Sequence, residues 1–477
     1  MNVENGKVDI LFVSNFSEYL NATESEMIKH LPSEIECKIL TYKNSKIANT
    51  YSYERFLEDN YNYIKDYNIF DLNDKFKGIN FNLTLVAERF LSDYYGLSGV
   101  LGHKNYSFDD INFIMKSWVL FLDSYIPGSK IVFSGYADNL ISHLTFMISE
   151  FYNINCISFG PKNVINHETN YLISGVYAKP CDVLMNGNKK KESHELLKYI
   201  KNYNMKNQIS RAYKDSKGID KPLLGLFSAN IKKISFWKYV LFGYEIQNQE
   251  IKKYLELDRT NIFIKLTSYR KKVINIMLNK LYMKSLNNHI PEGVKSIYFP
   301  LQVQPEASTS VTSPYFMNLL STVEYISKSL PLGYLLIVKE HPAVKGIRNI
   351  SFYKQVNALP NVKLISTGEN ARELMKNCEL TIGFGGTTLL ESIYLGKKIL
   401  IFEDSFYSNS KLVRKLKDFR NLNNEILDFI NLQLSAKEKE LELENMLNYY
   451  YQRGFPRYEN FEKNMAINLM KIFNELK

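Results

Sequence analysis

The chain is poor in cysteine and in long apolar runs, and each shortage removes a class of protein. Its four cysteines, Cys37, Cys156, Cys181 and Cys378, are spread over 477 residues. They form neither a disulfide framework nor a metal-ligand spacing, which points to a reducing cytoplasm. No apolar run reaches the roughly 18 uninterrupted residues of a membrane-spanning helix. The opening MNVENGKVDILFV is polar and then strand-like, without the charged-then-apolar plan of a secretion signal. No Asp-x-Asp pair stands at a strand end to call for a metal. Repeats at solenoid periods, low-complexity tracts and nucleic-acid recognition motifs are absent as well.

What is present suits a multidomain globular protein. Hydrophobic residues make up 45% of the chain, and 477 residues exceed one compact core. The formal charge of +10 is unevenly placed. Residues 186–290 hold 22 Lys/Arg against 8 Asp/Glu, a net of +14, so the rest of the chain stands at −4. Such a segment suits an anionic partner, or lysines solvated on helices. Within it, Ile231–Tyr244 mixes Lys with Trp and Phe and suits either a membrane surface or a helix packed on the first domain.

Apolar periodicity places short strands at Val8–Ser14, Cys37–Tyr42, Lys130–Phe133 and Ile154–Phe159, with helices between them at Glu24–Leu31, Leu83–Tyr95, Asp109–Leu122 and from Leu140 to Phe151. Tyr51–Phe76, rich in Tyr, Asn and Asp, carries no clear period. A second alternating series begins near Val294. Its strands are Ser296–Phe299, Tyr334–Val338, Val362–Ser366, Glu379–Ile382 and Ile399–Phe402. Strand and helix in alternation predict parallel sheets in two α/β domains.

Ligands of such sheets bind at carboxyl strand ends, and three polar loops follow strands of the second series. Phe299–Thr309 carries Gln302 and Glu306. Lys339-Glu340-His341-Pro342 follows YLLIV, and the proline fixes its turn. Gly383-Phe384-Gly385-Gly386 leads into Thr387-Thr388 at a helix start, where free N–H groups attract phosphate. Glu391 shares the face of Thr387 and is placed to meet ribose hydroxyls or water. Gly396 is a helix stop, and Lys397 and Lys398 suit that helix's negative end. In the first series, Asp138 follows Ser134-Gly135 at a strand end. It is the first choice for an acid–base carboxylate, with an N-cap role as its alternative. His167 and Glu168 come second.

Together, FPLQVQPEAST, KEHP and GFGGTTLLESIYLGKKILIF resemble bacterial surface and capsular polysaccharide glycosyltransferases of the GT-B fold. The likeness spans Tyr298 to Glu403 and is nearest to capsule-synthesis proteins and sialyltransferase-like relatives that use CMP-activated acidic sugars. In those families a His-Pro motif and a Ser/Thr pair bind nucleotide and phosphate, which implies His341-Pro342 and Thr387-Thr388 here. Their Gln-x-x-x-acid pattern is similar to Gln302 and Glu306. The doubled threonine departs from the commoner serine. The glycine loop and the Lys-x-His-Pro turn are also similar to UDP-N-acetylglucosamine 2-epimerases, and the layout to CDP-alcohol phosphotransferases.

The resemblance implies an α/β fold of two Rossmann-like doubly wound domains facing a cleft. Residues 1–185 would form the acceptor domain, 186–292 a basic helical insert, 293–455 the nucleotide-sugar domain and 456–477 a crossover helix. It implies a transferase with no cofactor beyond its nucleotide-sugar donor, CMP-linked by preference and UDP-linked as the alternative, and the missing Asp-x-Asp motif adds the expectation of metal independence. Gln302, Lys339, His341, Pro342, Gly385, Gly386, Thr387, Thr388 and Glu391 would bind that donor, and Asp138, His341 and Glu306 would act in catalysis. The expected acceptor is a glycan, free, lipid-linked or on protein. Anionic membrane at the inner face would meet residues 186–290, and no nucleic acid is expected. A glycan-binding scaffold without activity is the non-enzymatic alternative.

Overall fold

The computed structural model describes residues 8–14, 18–45, 47, 49–87, 106–137, 139–161, 169–175, 179–181, 198, 254, 262–304, 307–341, 344, 348–456 and 460–475. Two sheets organise them. The first holds β1 (Val8–Val13), β2 (Cys37–Thr41), β3 (Thr50–Ser52), β4 (Ser129–Ser134), β5 (Asn155–Pro161), β6 (Thr169–Ser174) and β7 (Lys179–Pro180). The second holds β8 (Lys295–Pro300), β9 (Tyr334–Lys339), β10 (Val362–Ile365), β11 (Leu380–Gly383), β12 (Lys398–Ile401) and β13 (Val413–Lys415). A last strand, β14 (Phe455–Pro456), returns to the first sheet and pairs with β6.

Strand order reveals a kinship that the sequence hides. The second sheet runs β10-β9-β8-β11-β12-β13, entirely parallel. Counted from β8, that is the 3-2-1-4-5-6 order of a Rossmann domain. The first sheet has β3-β2-β1-β4-β5 in the same parallel order, extended by antiparallel β6. The expected pair of doubly wound domains is therefore present.

The strands are apolar on both faces because helices cover both faces. In β1, Ile10 and Phe12 point into one cluster while Leu11 and Val13 point into another. In the second sheet, Leu336 and Val338 face one cluster and Ile337 faces the other. The strands lie close to their expected ranges, but the first helix begins six residues earlier than expected, at Glu18. Residues 88–95 of the expected Leu83–Tyr95 helix lie outside the described residues, and Tyr51–Phe76 resolves into β3 and the helices Tyr53–Asp66 and Ile69–Lys75. Their caps are local: Ser52 accepts from the Arg55 N–H and Asn68 from that of Phe70.

The domains are joined by packing as well as by chain. Tyr136, after β4, packs against clusters of both domains, and Val311 of the second reaches the core of the first. Lys179 Nζ lies 2.9 Å from Asp404 Oδ2. The helix Ala436–Arg453 lays Leu443, Met446 and Leu447 on the second domain. The chain then crosses over, and the helix Phe461–Glu475 packs Met465, Leu469 and Phe473 against Ile10, Phe12 and Ile131. This is the expected crossover helix. Of the basic insert, Ile231–Tyr244 lies outside the described residues, while Ile262–Ser285 is one long helix.

Candidate functional site

β8 and β11 lie side by side at the centre of the second sheet. The connections from their carboxyl ends run to opposite sides, so a crevice opens between the two loops. The β9 loop stands next to that of β8. The three polar loops therefore meet at one sheet edge, as expected.

The loop after β11 turns through Gly385 (φ 144°) and Gly386 (φ 96°), backbone that side-chain-bearing residues rarely adopt. Gly386 caps the helix Thr387–Tyr394 with no side-chain bond, so the first N–H groups have no capping oxygen. A Cβ on Gly386 would stand 3.8 Å from Gln302 Oε1, which brings the β8 loop against the phosphate turn. The Tyr407 hydroxyl donates to the Gly386 carbonyl at 3.4 Å. Thr387 is exposed and Thr388 half-buried.

Gly396 (φ 67°) ends this helix as expected. The two lysines after it do not serve the helix's end. Lys397 Nζ donates to the Cys378 carbonyl at 3.1 Å. Lys398 Nζ donates to the carbonyls of Phe429, Ile430 and Leu432, and so closes the helix Leu422–Asn431 instead. β12 carries Lys398 away from the preceding helix, and the negative end it meets belongs to a later one.

The β9 loop is held by a buried ionic knot. Glu340 accepts from the His341 N–H at 2.7 Å and the Tyr353 hydroxyl at 2.8 Å, and pairs with Arg348. Arg348 also donates to the Gln302 carbonyl and, at 3.4 Å, to Gln304 Oε1. Gln304 Nε2 donates to the Met317 carbonyl at 2.6 Å. One guanidinium thus staples the β8 loop to the β9 loop. Breaking such a buried pair costs about 3–5 kcal/mol, because it leaves an uncompensated charge.

Electrostatics tune the residues around the knot. Lys339 is buried, which brings its pKa down to about 8 against the pull of Glu340 and Glu369. Burial likewise lowers His341, helped by Lys339 and Arg348 and opposed by Glu340. The imidazole is therefore neutral near pH 7 and can offer both a donor and an acceptor. Burial raises Glu391 to about 7, with Arg372 opposing.

Gln302, Lys339, His341, Gly385, Gly386, Thr387 and Thr388 thus lie at the carboxyl ends of three neighbouring strands, with Gln302 next to Gly386, and Glu391 lies one turn along its helix. Pro342, Glu306, Asp138, His167 and Glu168 lie outside the described residues. Arg348, Tyr353, Gln304 and Tyr407 are the residues that sequence reasoning missed. Glu340 stood in the quoted motif without a role. No local pattern marks Arg348, since its partners come from two separate loops.

Residues 243–425 match the family of capsule polysaccharide biosynthesis proteins. Protein FixF of Sinorhizobium fredii is 24% identical over 129 residues, 27% of this chain and 31% of that protein. The match therefore spans about a third of that curated relative. Among solved structures, a KpsC beta Kdo 2,7 transferase of Thermosulfurimonas dismutans aligns at 10% identity and TM-score 0.34, over 97% of this chain and 99% of the other. The UDP-GlcNAc 2-epimerase of Neisseria meningitidis aligns at 13% and 0.27, over 97% and 100%. Scores so low carry no argument about activity. The C-terminal sheet and its loops lie within the stretch that matches the capsule polysaccharide biosynthesis family, in a chain of two doubly wound α/β domains.

Proposed function

We propose that the protein transfers a sugar from a nucleotide-activated donor to a surface-glycan acceptor in capsule polysaccharide synthesis. The observation that carries this reading is the stapled pair of loops. Arg348 and Glu340 tie the loop of Lys339 and His341 to that of Gln302, which stands beside a glycine turn whose helix N-terminus has no side-chain cap. Such a site suits a leaving nucleotide phosphate. Lys339, His341 and the N–H groups at Thr387 and Thr388 compensate the charge that develops on it. Gln302 and Glu391, with Pro342 from the sequence alone, are our candidates for the nucleoside side, and Gly385 and Gly386 would let the phosphate approach the backbone.

The Thr387-Thr388 pair leans toward a CMP donor carrying an acidic sugar, with UDP second. Because the protein's own cations meet the phosphate, turnover needs no divalent metal. Asp138, Glu306 and His341 are the acid–base candidates from sequence. We place the protein in the cytoplasm, at the membrane's inner face. There the helix Ile262–Ser285 bears exposed Ile274, Met277, Leu278 and Leu281 beside exposed Lys280 and Lys284. No helix among the described residues is long and apolar enough to cross a membrane.

A thermal-shift panel of CMP, CDP, UDP and GDP tests the reading, because a nucleotide that binds the native state raises the melting temperature. CMP should raise it most, and His341→Ala and Thr387→Ala should each weaken that response. A panel without any shift, or unchanged affinity in both variants, removes the site assignment.

A further inference from the structure

The first domain has a crevice of its own. β1 and β4 are neighbours, with Val13 opposite Ser134. The helices that follow them cover opposite faces of the sheet. Met27 of Glu18–Lys29 joins the cluster of Ile10 and Phe12, while Leu140 and Leu144 of Leu140–Phe151 join that of Leu11 and Val13. The two connections part at this point, so the carboxyl ends of β1 and β4 flank the place where such a sheet receives a ligand.

Buried polar atoms collect at these strand ends. Glu24 is 4% exposed, His143 5% and Ser134 0%. Glu24 Oε2, His143 Nδ1 and Ser134 Oγ have no hydrogen-bond partner among the described residues. Ser14, the residue after β1, bonds to the Glu24 carboxyl. Ser134 ends β4, and His143 lies in the first turn of the helix after it. Alternation along the strands puts Ser14 and Glu24 on one face and Ser134 on the other.

Glu24 stands three residues before Met27 on the sheet-facing stripe of its helix, where a leucine would pack without penalty. Leaving a buried polar atom unpaired costs about 1–3 kcal/mol. Ser14 uses one side of this carboxyl, and its Oε2 is left over. Burial raises the Glu24 pKa to about 8, so the carboxyl is mostly protonated at pH 7 and, once ionised, is a stronger proton acceptor than a solvated carboxylate. Burial holds His143 neutral, with a pKa near 4.

We propose that the crevice between the β1 and β4 ends receives the acceptor and that Glu24 is the general base. The assignment rests on the glycosyl-transfer reading above. The Glu24 carboxylate takes the proton of an acceptor hydroxyl as that oxygen bonds to the anomeric carbon of the donor sugar. The bond from that carbon to the phosphate oxygen breaks, and its electron pair leaves with the nucleotide. Ser134 and neutral His143 hydrogen-bond other hydroxyls of the acceptor. Enclosure keeps water, the competing nucleophile, from the base until the acceptor takes its place.

The test compares the full-length protein with Glu24→Gln, Glu24→Ala and Asp138→Asn. Nucleotide release is measured from CMP-N-acetylneuraminate and UDP-N-acetylglucosamine, with surface oligosaccharides of the source organism as acceptor. Glu24→Gln should lower kcat by about 100-fold or more. Donor KM, nucleotide affinity and melting temperature should stay unchanged, and azide should restore part of the Glu24→Ala rate. Unchanged kcat in Glu24→Gln overturns the assignment. So does a loss confined to Asp138→Asn, or a fall in melting temperature with no azide rescue. If the wild-type protein releases nucleotide from neither donor, the transfer reading falls and this assignment falls with it.

Discussion

Lys339 is an ordinary residue that burial has made pH-sensitive. Its folded pKa of about 8 lies below the unbound value of 10.5. Below about pH 8 the ammonium is charged in both folded and unfolded chains, and burying it costs stability. Between about 8 and 10.5 the folded chain has released the proton and the unfolded chain has not, so this term favours folding increasingly as pH rises. Nucleotide binding runs the other way, because phosphate needs the charged form. CMP affinity measured by calorimetry should fall roughly tenfold between about pH 7 and about pH 9. Lys339→Met should abolish that slope, and equal affinity at both pH values would remove Lys339 from the phosphate contact. Lys339 and His341 were legible because a proline-fixed turn after an apolar strand is a local pattern. Arg348 was not. Its worth comes from the Gln302 carbonyl and the Glu340 carboxylate, which lie on different loops.

Elements were legible where the apolar period was unbroken. β8, β9 and the helix Thr387–Tyr394 fall within a residue or so of their expected bounds. Tyr51–Phe76 resisted because its buried face is built from Tyr53, Phe56, Leu57 and Ile64 amid Asn, Asp and further Tyr, which blurs the period. β13 was missed because Val-Arg-Lys is an edge strand whose charged side chains hide it. The helix Ile262–Ser285 carries the prediction at this scale. Its outer stripe, Ile274, Met277, Leu278 and Leu281, is exposed, while Asn279 on the inner side donates to the Arg348 carbonyl at 2.7 Å. The protein should co-sediment with phosphatidylglycerol vesicles and not with phosphatidylcholine vesicles. The double substitution Leu278→Asp and Leu281→Asp should release it. Equal sedimentation of this variant would dismiss the stripe as a membrane contact.

At the scale of the whole molecule, the chain's last helix completes its first domain. Leu469 is fully buried against the sheet that begins at Val8. Leu469→Ala should cost about 2–5 kcal/mol. In hydrogen exchange, Val8–Val13 and Ser129–Ser134 should lose protection while Val362–Ile365 and Leu380–Gly383 keep theirs. Loss spread evenly over both sheets would mean that the domains unfold as one unit.

The sequence by itself determined the alternation of strand and helix, the two α/β domains and the three polar loops. Each is written in a contiguous stretch: an apolar run, a small or polar loop, a helical period. Only the tertiary structure decided which strands are neighbours. Placing β8 between β9 and β11 brings Gln302, Lys339, Arg348 and Gly386 together across more than eighty residues of chain. The same order on β1 and β4 brings Ser14, which bonds Glu24, and Ser134 to neighbouring strand ends. Hydrogen bonds and charge pairs act through space, over a few ångströms, and carry no trace of the intervening chain.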